Sequence, residues 1–397
     1  MGEQHTKEML AELQSYPLDM KVKLTKQRIR EWINEFGEDG VYVSFSGGKD
    51  STVLLDIVRQ DYPNVPAVFV DTGLEFPEIR QFVKGYDNVV WLKPKKNFRQ
   101  VIQDYGYPFV SKEVSERAYY AQRYLRWYAE QKDNPSDEAK KEPTTYGLKD
   151  LLGLRGMDQQ QADEILLDFI NTSDKGTFKI KEFMGRRIGP DGKTYSSKYN
   201  YSRYKWLAIC PYMISNKCCD VMKKAPIKKY AKESGRKPIT GQMASESVLR
   251  TTHWLQSGCN SFDTKKQISN PMSFWTEQDV LMYVYVNKLP ICSVYGDVVI
   301  EGEIEGQISL SDIEGMELFE KHRPTFKTTG QKRTGCMFCG FGTHLKKEAD
   351  RFRSLKITHP KVYDYIMRPW DEGGLNYKEV IDWLNEHTES NRFHIYY

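Results

Sequence analysis

The 397-residue chain contains no run of about eighteen apolar residues, so no membrane-spanning helix is expected. Its first ten residues, MGEQHTKEML, lack the apolar stretch of a secretion leader, and the cytoplasm is the expected location. Cysteine is scarce, at seven residues. In a chain without a leader this argues against a disulfide framework, and in a reducing compartment paired cysteines more often hold metal. Neither sign of charge dominates. The net charge of +4 does not by itself argue for nucleic acid. No internal repeat is visible.

What is present is a globular composition. Aromatic residues make up 13% of the chain, too many for a disordered protein. The length is ample for a large core in two or three units. Residues 22–36 place Val22, Leu24, Ile29, Ile33 and Phe36 at helical spacing, with Gly37 and Gly40 closing the helix. VYVSFS then reads as a strand and STVLLDIVRQ as a helix. AVFVDT (67–72) and NVVWLKP (88–94) are two further strands, with the helices PEIRQFVK and NFRQVIQDYG after them. Strands alternating with helices imply a parallel, twisted sheet covered by helices on both faces.

Residues 112–132 read as one long helix rich in aromatic and basic side chains. DNPSDEAKKEPTT reads as a loop, and residues 186–206 as a hairpin or loop with Gly-Pro-Asp-Gly turn signals. RKPITGQMA (236–244) resumes the sheet pattern, and Thr276 with Asp279 forms a capping box. The expected organisation is a helical lead-in (1–40), the first part of an α/β nucleotide core (41–110) and a helical insertion or lid (111–205). The second part of the core follows with Cys-Cys (206–300), then a mixed C-terminal region with Cys-x-x-Cys (301–397).

Residues 41–52, VYVSFSGGKDST, put two glycines, two serines and a lysine between a strand and a helix. A phosphate there would meet N–H groups at a helix N-terminus, where the peptide dipoles favour an anion. Gly47 and Gly48 permit close approach, Ser46 and Ser51 add hydroxyls, and Lys49 adds charge. Adjacent glycines fit neither the Walker spacing nor G-x-G-x-x-G. An acid at a strand's carboxyl end, such as Asp71, suits a Mg²⁺ ion or a ribose.

SFSGGKDST resembles the pyrophosphate-binding loop of the adenine-nucleotide α-hydrolase (PP-loop) superfamily, and within it the phosphoadenylyl-sulfate (PAPS) reductase family. VFVDTGLEFPEI, NPMSFWTEQDVLMYV and GQMASESVLR resemble further family segments, so the likeness spans roughly residues 40–110 and 205–345. In the last segment Gly241, Glu246, Ser247 and Arg250 match, while Met243 replaces an arginine. The resemblance implies that an adenine nucleotide, ATP or PAPS or adenylyl sulfate (APS), is held by Ser44, Ser46, Gly47, Gly48, Lys49, Asp50, Ser51, Asp71, Thr72, Gly73, Gly241, Glu246 and Arg250. Glu75 lies near it by the same analogy. Lys49, Asp50 and Arg250 are the candidate catalytic residues, with Mg²⁺ accompanying the phosphates.

Cys218-Cys219 and Cys336-x-x-Cys339 supply four thiolates in two close pairs, a count that suits zinc or an iron–sulfur cluster. Cys-Cys, a long gap and Cys-x-x-Cys resemble the cluster-bearing sulfonucleotide reductases, which implies [4Fe–4S]. Cys210, Cys259 and Cys292 read as small buried hydrophobes. The assimilatory reductases carry a nucleophilic cysteine near the C-terminus, but HTESNRFHIYY has none. The loop also resembles that of ATP-using members, among them tRNA thiolases and DNA phosphorothioation enzymes. The first expectation is therefore ATP-dependent sulfur transfer to a nucleic acid or nucleobase, with a sulfur donor or reductant protein as partner. Tyr119, Tyr120, Arg123, Tyr124, Arg126, Trp127 and Tyr128 are candidates to stack bases and meet phosphates. The alternatives are a PAPS or APS reductase, and a non-catalytic nucleotide or nucleic-acid-binding module.

Overall fold

Val41, Tyr42 and Val43 are each no more than 1% exposed. Successive strand residues point to opposite faces, so both faces of this strand are covered, as a parallel sheet requires. The computed structural model describes residues 5–133, 156–173, 176–262, 267–301, 324–346, 348–388 and 393–397. DNPSDEAKKEPTT lies outside them. The chain divides into two compact units, Met1–Lys93 with Pro226–Cys336, and Pro94–Ala225 with Met337–Tyr397.

The first unit holds a sheet of β1 (Val41–Ser44), β2 (Ala67–Val70), β3 (Val89–Leu92), β4 (Lys237–Ile239), β5 (Asn260–Ser261) and β6 (Ile268–Ser269). Their order is β3-β2-β1-β4-β6-β5. Every pairing is parallel except β5 with β6. Val43 is in register with Ala67 on one side and Ile239 on the other. From β1 the chain builds outward through β2 and β3, and returns on the opposite side with β4. The order therefore reverses between β1 and β4, and ligands of such sheets bind outside the carboxyl ends at that reversal. The expected α/β class stands, and it places the 45–49 turn at this crevice. A second, antiparallel ribbon pairs β7 (Val298–Ile300) with β8 (Phe326–Thr328).

The lead-in forms helices Lys7–Ser15 and Leu18–Phe36, the second closed by Gly37 at φ +78°. It is not a free appendage. Trp275 Nε1 donates to Thr25 Oγ1 at 2.9 Å, and the buried Lys21 ammonium meets Asp279 Oδ2 at 2.7 Å. Asp279 also completes the expected capping box with Thr276. The NPMSFWTEQD stretch is thus bolted to the lead-in helix.

The second unit is built round helix Lys112–Asp133, where Ala118, Ala121 and Leu125 are fully buried. This helix begins the segment expected as an insertion or lid, and it lies in the second unit. Tyr119 and Arg126 are buried, and the Tyr124 ring stacks on Phe169 at 3.8 Å. Tyr119 and Arg126 therefore pack internally and do not present themselves for base stacking, which corrects that expectation for those two, while Tyr124 is half-buried with one face on Phe169. Gln122 is satisfied inside the unit, donating to the carbonyls of Cys210 and Tyr212 and accepting from the Ile214 N–H. Helices Arg351–Thr358, Pro360–Met367 and Tyr377–His387 complete the unit.

Candidate nucleotide site and cysteine groups

Between β1 and helix Lys49–Asp61 the backbone turns through Gly47 at φ +71°. A Cβ there would lie 2.8 Å from a Val83 methyl and 2.9 Å from an Ile79 methyl, so conformation and space both demand glycine. Ser51 Oγ donates to the Gly48 carbonyl at 2.9 Å and accepts from the Ser46 N–H at 3.1 Å. A hydroxyl has one proton, so Ser46 donates across the 3.0 Å gap to Ser51. Ser46 Oγ also accepts from the Gly48 N–H at 3.3 Å. The two serines hold the turn in shape, and their protons are used inside it. Ser44 ends β1, half-buried and in register with Val68.

Lys49 is only 4% exposed. Its ammonium lies 3.1 Å from Glu277 Oε1 and 3.6 Å from Asp50 Oδ1, and donates to the Lys332 carbonyl at 3.3 Å. Burial pushes its pKa down, but Asp50, Glu277 and Tyr295 together outweigh that and hold it above the ordinary value. Lys49 therefore stays charged. Burial raises Asp50, Lys49 opposes this and Glu277 adds to it, leaving the carboxyl above its usual range. Asp50 Oδ1 is buried with no hydrogen-bond donor among the described residues. Arg250 is ion-paired with Glu246. Burial lowers its pKa, Asp50 raises it and Arg333 lowers it again, so both groups lie within its electrostatic reach. Lys49, Arg250 and Arg333 thus bring cationic charge to the crevice.

Gly241 follows β4, and a Cβ on it would meet the Asp50 carbonyl at 3.1 Å. Its absence lets the two turns close on one another at the reversal point. Glu246 accepts from the Met243 N–H at 3.0 Å, and Met243 is buried. Beyond β2, Asp71 Oδ2 accepts from Arg80 at 2.8 Å, and Asp71 Oδ1 from the Gly73 N–H at 3.3 Å. Thr72 Oγ1 donates to Glu75 at 2.7 Å, and the Thr72 N–H reaches the same carboxylate at 3.1 Å. Asp71 and Thr72 therefore organise their own turn, with Gly73 at φ +75° in open space.

Sequence reasoning missed four residues at the loop. The Lys49 N–H donates to Tyr295 Oη at 3.1 Å, Tyr295 shares a proton with Thr334 Oγ1 at 2.6 Å, and Glu277 and Lys332 meet the ammonium as described. Glu277 stands inside the FWTEQDV motif and was legible as part of it. Tyr295, in SVYGD, carries no local signal.

Cys218 and Cys219 open a helix, Lys217–Cys219, that continues as a π turn through Lys224. The Cys218 thiol donates to Cys219 Sγ at 4.0 Å. That bond is the largest reason the Cys219 thiol is pushed down to about 6. Burial opposes it, and Lys112, Lys223 and Lys224 assist. Cys339 lies within electrostatic reach of Cys219 and Lys112 in the same unit. Burial raises it first, Arg351 lowers it, and the Cys219 charge raises it again. Lys217 sits over the Tyr119 and Tyr120 rings, at 5.4 and 5.8 Å. Cys336 is the last residue of the first unit. Among the described residues no three His, Cys, Asp or Glu side chains are gathered closely enough to hold a metal ion. Cys210, Cys259 and Cys292 are buried, and burial raises all three thiols.

The family model for the phosphoadenosine phosphosulfate reductase domain matches residues 40–122 and 160–339. An adenosine 5'-phosphosulfate reductase of Geobacillus kaustophilus is 35% identical over 85 residues, 21% of this chain and 33% of that protein. A phosphoadenosine 5'-phosphosulfate reductase of Alteromonas mediterranea is 37% identical over 78 residues, 20% of this chain and 30% of its own length. An uncharacterised protein of Methanocaldococcus jannaschii is 40% identical over 73 residues, 17% and 18% of the two chains. The matched segments thus span a third or less of each relative. Among solved structures, the PAPS reductase from Candida auris in its phosphate complex aligns over 74% of this chain and 92% of its own. The identity is 13% and the TM-score 0.31, too low to carry an argument. No helix among the described residues is long and apolar enough to cross a membrane.

Proposed function

Because this chain belongs to the phosphoadenosine phosphosulfate reductase domain family, we propose that it is an enzyme of sulfur chemistry that grips an adenine nucleotide, ATP, by its polyphosphate at residues 44–51. The observation that carries this is Lys49: a buried, charged ammonium that opens the helix after a glycine turn, flanked by the Asp50 and Glu277 carboxylates. Serines locked inside the turn keep its shape, and an anion at the crevice gains from preorganised donors.

In the finer reading, an acceptor oxygen attacks the α-phosphorus. The bond from that phosphorus to the pyrophosphate oxygen breaks, and pyrophosphate leaves against Lys49, with Arg250 near the same charge. Hydrosulfide from a donor then replaces the adenylylated oxygen, and AMP departs. A Mg²⁺ ion travelling with the phosphates would be met by Asp50, whose Oδ1 lacks a hydrogen-bond donor, and would neutralise charge there.

The thiols fit an iron–sulfur cluster by their chemistry: a Cys219 thiol already poised to ionise, a cysteine beside it, and Cys339 within reach of its charge. In a cluster each thiolate binds its own iron, so the ligands need not converge as they would round one ion. Cys218, Cys219, Cys336 and Cys339 would hold [4Fe–4S], which would supply a site for sulfur or electrons when bound.

A nucleic-acid acceptor is supported by residues 185–205, where six Lys and Arg stand against one acid, Asp191. Arg187 pairs with Glu182, and Lys205 with Asp163. Arg186, Lys193, Lys198 and Arg203 are exposed and have no acidic partner among the described residues. Exposed cations beside half-exposed tyrosines suit a single strand.

The second reading is reduction of PAPS or APS, favoured by the names of the two reductase relatives. Against it stands Met243 in place of an arginine. Anaerobic incubation with ATP, sulfide and mixed nucleic acids, followed by mass spectrometry of digested nucleosides, separates the readings. A thiolated nucleoside supports transfer. Thioredoxin-dependent sulfite release from PAPS or APS, without thiolation, supports reduction.

A further inference from the structure

We propose that Tyr295 is a latch by which polyphosphate at the glycine turn controls the strap leading to Cys336. This rests on the reading of residues 44–51 as a polyphosphate site. The Tyr295 ring is 1% exposed, and its hydroxyl sits between the Lys49 N–H, at 3.1 Å, and Thr334 Oγ1, at 2.6 Å. The Lys49 N–H is one of the unpaired donors that open the helix, the group a phosphate seeks. Tyr295 thus holds the place of a phosphate oxygen. Lys49 Nζ makes the same substitution on the other side, donating to the Lys332 carbonyl.

The strap moves with Tyr295 because the backbone joins them. The N–H groups of Thr329, Gly330 and Gln331 donate to the carbonyls of Asp297, Tyr295 and Val294, at 2.9, 2.7 and 2.9 Å. A Cβ on Gly330 would lie 2.6 Å from the Val294 carbonyl oxygen, so glycine permits this contact. Thr334 Oγ1 in turn lies 3.0 Å from where a Cβ of Gly48 would be. Lys332, which meets the Lys49 ammonium, and Thr334, which meets the Tyr295 hydroxyl, are four and two residues from Cys336. A phosphate that takes the Lys49 N–H and ammonium displaces the Tyr295 hydroxyl and the Lys332 carbonyl together, and releases the strap. By linkage, a strap already released binds phosphate more tightly.

Inorganic pyrophosphate is the probe, with calorimetry for binding and hydrogen exchange for the strap. In the full-length protein, saturating pyrophosphate is expected to speed amide exchange over residues 332–335 at least threefold. Tyr295→Phe is expected to exchange fast there without ligand, to respond little to pyrophosphate, and to bind it several-fold more tightly. Thr334→Val, which leaves the ring and its packing intact, is expected to do the same to the strap. Pyrophosphate that binds without altering exchange at 332–335 overturns the latch alone, as do variants that behave like the wild type. No pyrophosphate binding to the wild type overturns the phosphate reading and the latch with it.

Discussion

At the scale of single residues, Gly47 has little freedom. A left-handed φ and two methyl groups within 3 Å of a would-be Cβ leave an alanine nowhere to go. Gly47→Ala is expected to cost ~1–3 kcal/mol, seen as a lower denaturant midpoint, with nucleotide binding lost in the same variant. Cys219 gives a pH-dependent expectation. Its thiol, pushed down to about 6, is a thiolate in the folded protein. A lowered folded-state pKa contributes stability that is present above the unfolded thiol value, about 8.5, and lost as pH falls through about 6. In protein prepared without iron, alkylation of Cys219 should stay fast at pH 7 and fall by half near pH 6. A midpoint near 8.5 would contradict the Cys218 hydrogen bond, and the lysines assisting it, as the setting of this thiol. The glycines, Lys49 and the cysteine pairs were legible in the sequence because their chemistry is local. Tyr295 and Thr334 were not, because their meaning depends on a contact spanning 246 residues to Lys49.

At the scale of elements, the strands were readable from short β-branched runs, and the parallel pairing followed from alternation with helices. The β5 and β6 pair, two residues each, was not. Strands so short carry no period, and their neighbours place them. The long helix Lys112–Asp133 was readable as a helix but not in its orientation. Its aromatic and basic residues suggested an open face, while Arg117 and Glu182 form a buried ion pair and Tyr119 and Arg126 are buried. Four exposed cations, Arg186, Lys193, Lys198 and Arg203, lie on the 185–205 hairpin. Reversing all four (Arg186→Glu, Lys193→Glu, Lys198→Glu, Arg203→Glu) should weaken binding of a single-stranded oligonucleotide at least tenfold and flatten its salt dependence. Fluorescence anisotropy at several salt concentrations measures this. An unchanged affinity would remove the hairpin from any role in nucleic-acid recognition.

At the scale of the whole molecule, the nucleotide loop belongs to one compact unit. Three of the four candidate cluster cysteines belong to the other, with Cys336 at the seam in the chain. Protein purified without oxygen should carry about four irons and an absorbance near 400 nm that Cys219→Ser removes. Stoichiometric zinc without iron would refute the cluster. The claim on which the rest stands is the grip of the glycine turn on polyphosphate. Calorimetric titration of ATP into the wild type and into Lys49→Met tests it directly. Tight binding by the wild type, weakened at least tenfold in a variant whose circular dichroism is unchanged, is the expected result. Equal affinity in the two proteins would contradict it.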